Sequence, residues 1–267
     1  MIERLDKVLA HDGFGTRREV KKLIHVGKVV VNENIVRDES FKVDLNTDAV
    51  FVDGKKLVFA QFAYVMMNKP VGYVCANRDG LHETVFSLLD KKYRTPFFES
   101  NLHLVGRLDR DTEGLLIFTT DGALTHYVTS PRTHVGKTYF VKLAQKVDKK
   151  MQFTYATRFA GGIHILPERN ERAHACKPAV LMWRDKTTDE TDECELIIYE
   201  GKFHQVKRMF AALGNEVIYL KRIAIGGLLL DVSLALGQCR ELTEEEIAVV
   251  KEIEAPAEYA RYVACSW

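Results

Sequence analysis

One stretch constrains the fold of this chain more than any other: Gly106-Arg107-Leu108-Asp109-Arg110-Asp111-Thr112-Glu113-Gly114-Leu115-Leu116-Ile117. Charged residues bounded by glycines abut an apolar run that continues to Phe118. An uninterrupted apolar run of that length reads as a buried strand. Residues 106–114 are then a loop that holds the Asp109 carboxylate at the mouth of the strand, between Arg107 and Arg110. A carboxylate held among cations suits chemistry on an anionic substrate.

The 267 residues, 46% apolar and 28% charged, suffice for one sizeable domain and a small one. The longest apolar runs, 57–67 and 226–230, fall short of the roughly 18 to 20 residues that a membrane span needs. Met1 leads directly into Glu3, Arg4, Asp6 and Lys7, so no secretory signal is expected. Cys75, Cys176, Cys194, Cys239 and Cys265 are odd in number and scattered, with no Cys-x-x-Cys pair. Reduced thiols, no bound metal, no membrane association and a cytoplasmic location are the expectations.

A net charge of +1 says little about nucleic acid, because local patches decide binding. Arg17, Arg18, Lys21, Lys22 and Lys28, with His25, face the single acid Glu19 in one segment. Lys202, His204, Lys207 and Arg208 form a second cluster, followed by Lys221 and Arg222. One such run is commonly a solvated face. Two runs with an acidic loop between them point to RNA.

The first sixty residues read as a module. An amphipathic segment at 4–11 precedes a break at Gly13-Phe14-Gly15. Thr16 and Glu19 then form a capping box for a helix with Val20, Leu23 and Ile24 on one face, ending at Gly27. Strands at 29–31 and 50–52, the latter followed by Asp53-Gly54, complete the unit. The segment 15–32 resembles the S4 RNA-binding domain, in which two helices pack on a small sheet. The resemblance implies that Arg17, Arg18, Lys21, Lys22 and Lys28 face phosphates, a contact that weakens steeply with salt.

From residue 62 onward, strands are expected at 63–67, 73–76, 115–120, 138–143, 195–199 and 227–231, and helices at 84–90, 123–129, 204–213 and 243–252. Thr243 and Glu246 supply a second capping box for the last helix. Strands outnumber helices and short turns join many of them, so the fold class is α+β with a mixed, largely antiparallel sheet and flanking helices. The expected domains are 1–60, 61–250 and a C-terminal extension at 251–267 without an assigned role. Residues 185–193 read as an exposed hairpin loop.

Three further motifs carry chemistry. Asn68-Lys69-Pro70-Val71-Gly72-Tyr73 leaves Lys69 at a strand end, placed for a phosphate or carboxylate. In Lys137-Thr138-Tyr139, strand alternation puts Lys137 and Tyr139 on one face. An aromatic ring beside a cation suits an unstacked base and its phosphate. Glu200-Gly201-Lys202-Phe203-His204-Gln205-Val206-Lys207-Arg208-Met209 is a turn entering a basic helix from which Lys207 can reach Asp109. Paired with an ammonium, a partly buried carboxylate stays ionised and serves as nucleophile or base.

Taken in order, these four motifs and their spacing resemble the rRNA pseudouridine synthases that carry an N-terminal S4 domain, across about residues 1–250. Within that family, 68–75 and 204–215 are most similar to the branch acting on small-subunit (16S) rRNA. The resemblance places the catalytic aspartate on Asp109, an intercalating arginine on Arg107, a stacking tyrosine on Tyr139 and the basic partner of the aspartate on Lys207. Lys69, Lys137, Lys202, His204 and Arg208 are expected to contact RNA beside them. Asp111 receives no role beyond a loop or helix-cap carboxylate.

The implied reaction breaks N1–C1′ of a uridine, turns the uracil and joins C5 to the same carbon, without redox change, cofactor or metal. The carboxylate either attacks C1′ or removes the C2′ proton, and both routes stay open. The expected partner is ribosomal RNA, either free or within an assembling small subunit, and the expected state is a monomer. Two alternatives stand beside this: the same reaction on 23S rRNA, and a non-catalytic S4-domain RNA-binding or ribosome-assembly protein. A glycoside hydrolase would need a second carboxylate at a set separation, and Asp111 and Glu113 are too near Asp109 in sequence to supply it.

Overall fold

A computed structural model describes residues 2–45, 47–57, 62–94, 96–168, 171–184 and 189–252. Most of the expected boundary near 59–62, the start of the loop at 185–193 and nearly all of 251–267, with Cys265, lie outside the described residues. The chain divides into two compact units, 1–63 with 89–103, and 64–88 with 104–267.

In the first unit, α1 (Leu5–His11) and α2 (Arg17–His25) lie beside a small antiparallel sheet. The capping box forms as expected: Glu19 N–H donates to Thr16 Oγ1 at 3.3 Å, and Thr16 N–H to Glu19 Oε2 at 2.7 Å. The sheet runs Asn34–Ile35, Val29–Val31, Val50–Val52, Lys55–Lys56, with Val29 opposite Val52. Its last hairpin turns through Asp53 and Gly54 at φ 49° and 77°, the left-handed pair that a two-residue turn requires. Leu5, Leu9, Val20, Ile24, Val29, Val43 and Val52 are buried together, and removal of that apolar surface from water holds the unit together. The helix Pro96–Asn101 belongs to this unit, with Phe98 packed edge-on against Tyr93.

The second unit is built on β1 (Tyr64–Lys69), β2 (Glu113–Thr119), β3 (Lys137–Asp148), β4 (Val180–Trp183), β5 (Glu190–Ile198), β6 (Val217–Ile225) and β7 (Cys239–Glu241). Their order across the sheet is β4-β5-β3-β6-β2-β1-β7. All of these pairs are antiparallel except β6 with β2, the mixed α+β arrangement expected. The helices are α3 (Gly122–Thr129), α4 (Lys149–Ala160), α5 (Gln205–Ala211) and α6 (Glu244–Val249).

The register sets up the site. Lys69 stands opposite Gly114, Gly114 opposite Arg222, and Arg222 opposite Tyr139, so one row crosses four strands. Gly114 has φ +105°, and a Cβ there would run into the Arg222 backbone, so only glycine lets β2 and β6 approach this closely.

Some elements differ from expectation. Residues 73–76 form a turn in which only Val74 bridges, to Thr84, and 84–90 contains a short 3-10 helix, Val85–Leu88. Central strand β6, edge strands β4 and β7, and helix α4 were not anticipated. In β6, Lys221 and Arg222 interrupt the apolar pattern because the sheet buries Arg222 as part of the site.

Candidate active site

The loop 106–113 is held by neighbours that bind its backbone. Lys69, fully buried, donates from Nζ to the carbonyls of Thr112 (2.8 Å), Pro70 (3.0 Å) and Arg110 (3.3 Å). Arg222, 3% exposed, donates from Nε to Leu115 O at 2.8 Å and from Nη1 to Arg107 O at 3.5 Å. Leu108 N–H points to Cys75 Sγ at 3.4 Å, and Thr112 N–H to Asp109 O at 3.1 Å. Such backbone anchors fix a side chain more tightly than loop packing would, because each leaves a buried polar group unsatisfied if broken.

The Asp109 side chain, 28% exposed, reaches a cavity of ≈ 450 Å³ whose walls include Arg107, Tyr139, His204 and Arg222. Lys207, on α5, places Nζ 3.7 Å from Asp109 Oδ2 and 2.5 Å from Asp111 Oδ1. His204 Nε2 lies 3.9 Å from Asp109 Oδ1. Lys207 therefore serves two carboxylates, and Asp111 is a loop carboxylate paired with it. Burial pushes the Asp111 carboxyl up, but the hydrogen bond and charge of Lys207 outweigh this and hold it below the usual range.

Arg107, Asp109, Tyr139 and Lys207 thus come from three separate chain segments to one place. Tyr139 is 8% exposed and lines the cavity. Arg107 is exposed at the rim-forming loop.

Three of the residues expected to contact RNA are engaged within the protein. Lys69 spends its Nζ on the carbonyls named above. Lys137, 8% exposed, donates to Val128 O and Val135 O, each at 2.7 Å; desolvation, reinforced by Arg222 and Lys177, lowers its pKa to about 8. Arg208, 6% exposed, donates to the carbonyls of Leu166, Phe203 and Arg172. The physical reason is the same for all three: a buried cation must have its donors satisfied internally. Lys202 is half-buried, donating to Ala175 O at 3.2 Å near Glu200. His204 lines the cavity. In the first unit, Arg17, Arg18, Lys22 and Lys28 are exposed, with Lys28 paired to Asp53 at 3.0 Å and the half-buried Lys21 to Glu39 at 3.0 Å.

Sequence reasoning missed the part played by Arg222, which it noted only as following the second basic cluster, and the buried Glu200, whose Oε1 accepts from Lys177 N–H (2.9 Å) and Gln205 Nε2 (3.0 Å). It also missed Glu168, 2.9 Å from His204 Nδ1. A charge inside the apolar run of β6 was the one available signal for Arg222; Glu168 had none.

Residues 63–212 match the family described as RNA pseudouridylate synthase, and residues 3–48 match the S4 domain. The chain belongs to the pseudouridine synthase family and carries an S4 domain at its N-terminal end. It is 43% identical over 248 residues to the Ribosomal small subunit pseudouridine synthase A of Vibrio cholerae, covering 92% of this chain and 99% of that protein. The protein of the same name from Escherichia coli (strain K12) is 42% identical with the same coverage. A Bacillus subtilis (strain 168) protein named Uncharacterized RNA pseudouridine synthase YtzG is 41% identical over 94% of this chain and all of its own length. A crystal structure of a pseudouridylate synthase, 38% identical, superposes with a TM-score of 0.60 over 92% of this chain and 99% of that one.

Proposed function

We propose that this protein converts a uridine of small-subunit (16S) rRNA to pseudouridine, with Asp109 as the group that acts on the sugar. The observation that carries this reading is the Asp109 carboxylate at the cavity, held by a backbone-anchored loop and 3.7 Å from an ammonium group. The names of the relatives from Vibrio cholerae and Escherichia coli favour the small subunit. Domains follow the same reading: 1–60 binds RNA, 61–250 carries the chemistry, and 251–267 is an extension.

A target uridine must leave its stack, which costs a few kcal/mol. Arg107, exposed on the loop, fills the vacated space, while the ring of Tyr139 stacks on the uracil. Asp109, 3.7 Å from the Lys207 ammonium group, attacks C1′ or removes the C2′ proton, and N1 departs with the bonding pair. The cations of α2 bind rRNA phosphates away from the reacting base. Tyr139→Leu is expected to lower turnover more than binding, read by comparing single-turnover rate with RNA affinity.

The test is formation of pseudouridine, mapped by nucleotide, in unmodified 16S and 23S rRNA, free and as subunit particles, with wild type and Asp109→Asn. One new site in 16S that depends on Asp109 supports the proposal. A site in 23S moves the substrate, and tight binding without product on any RNA overturns the catalytic reading.

A further inference from the structure

We propose that His204, oriented by Glu168, is the base that completes the isomerisation: its Nε2 takes the proton from uracil C5 and returns it to N1. This rests on the reading of Asp109 above. His204 occupies the N-cap position of α5 with φ 48° and ψ 29°, yet its side chain makes no capping bond. A left-handed backbone costs a non-glycine residue about 1–2 kcal/mol, and an N-cap normally carries a small side chain that accepts from the helix. Local structure therefore gives no reason for histidine here. Strain that local structure does not repay is concentrated at functional sites.

The imidazole is held on three sides. Its plane stacks on Phe203 at 3.7 Å between centroids and 20° between planes. Its Nδ1 lies 2.9 Å from Glu168 Oε1, and the other oxygen of that carboxylate is 3.9 Å from the buried Arg208 Nε. A carboxylate only accepts, so Nδ1 carries a hydrogen, and in the neutral ring the lone pair is on Nε2. That atom faces the cavity, 3.9 Å from Asp109 Oδ1. A basic nitrogen thus stands one atom's reach from the carboxylate that engages the sugar.

The chemistry needs such a group. When C5 bonds to C1′, the charge on N1 becomes an N1=C6 π bond and C5 bears both its hydrogen and the sugar. Loss of the C5 proton puts its electron pair into C5=C6, and the N1=C6 π pair passes to N1, which takes a proton. One proton leaves carbon and one arrives at nitrogen, with no oxidant or co-reactant. By then Asp109 has been released from C1′ or has returned the C2′ proton, and Lys207 Nζ is engaged by Asp111 at 2.5 Å. Beside Asp109, His204 brings to the cavity a nitrogen whose direction is fixed by Glu168.

The test uses small-subunit rRNA transcribed with ordinary uridine or with uridine deuterated at C5, in single turnovers by wild type, His204→Gln and Glu168→Gln. General base catalysis of this kind is worth about 10² to 10⁴ in rate, so His204→Gln is expected to slow product formation by at least ~10²-fold with RNA affinity unchanged. A primary isotope effect larger than that of wild type should appear at the same time, because proton loss from C5 becomes the slow step. Glu168→Gln, which leaves the imidazole in place without its orienting charge, should show the same isotope signature with a smaller loss. Wild-type rate in His204→Gln, or a slower rate without an increased isotope effect in both variants, overturns the proposal. If wild type itself makes no pseudouridine, the underlying reading fails first; if wild type does and Asp109→Asn does not, the outcome bears on His204 alone.

Discussion

The cations of the two units do opposite work. On α2, Arg17, Arg18 and Lys22 are exposed to water, whereas Val20 and Ile24 of the same helix are buried. Around the cavity, Lys69, Lys137, Arg208 and Arg222 are buried and donate to backbone carbonyls. An exposed cation costs little to fold and keeps its donors for a phosphate. A buried one is desolvated, and it persists only where every carbonyl around it needs a donor. The first unit keeps its charge at the surface, whereas the second uses charge to hold a loop rigid.

The largest expected effect breaks the chemistry and spares the binding. Asp109→Asn should reduce pseudouridine formation by at least ~10⁴-fold, with RNA affinity within a few-fold; a folded variant that loses RNA would join what we separate. Next, Lys69→Met strips a donor from three carbonyls at once, and at about 1–3 kcal/mol for each unsatisfied buried group the melting temperature should fall sharply. An unchanged melting temperature would show that the lysine is not a structural clamp.

Lys137 sharpens the comparison through pH. Its folded pKa of about 8 lies below the ordinary 10.5, so between those values the unfolded chain binds the additional proton and stability rises with pH. Measured as the difference between wild type and Lys137→Met, stability should shift in favour of wild type from pH 8 to 10.5, and a flat difference would mean that Lys137 is not desolvated. Smallest in stability is the triple replacement of Arg17, Arg18 and Lys22 by Gln, expected within about 0.5 kcal/mol of wild type. The same variant should lower the salt slope of RNA binding by roughly one unit per lost phosphate contact. An unaltered slope would remove α2 from the RNA surface.

Much of the fold was legible because local rules decide it. The capping boxes at Thr16 and Thr243 start their helices where the sequence places them, and Asp53-Gly54 closes the expected hairpin. The excursion of 89–103 into the first unit was not legible, since nothing local marks a segment that crosses between units. Strand β6 was missed because its charges are buried by the sheet, which inverts the rule that charge means surface.

The nearness of Tyr139 to Asp109 was implied only by the family resemblance, whereas the sequence alone determined the α+β class, the loop that presents Asp109 and the strand face that Lys137 and Tyr139 share. Those follow from short-range periodicity, glycine conformation and caps, which neighbours in the chain settle among themselves. Only the tertiary structure decided that Lys69, Lys137 and Arg208 serve the backbone, that Lys207 divides itself between Asp109 and Asp111, and that Glu168 holds His204. Which acceptors a cation meets depends on strand register and on partners as far as 107 positions away, a relation that side-chain type does not encode.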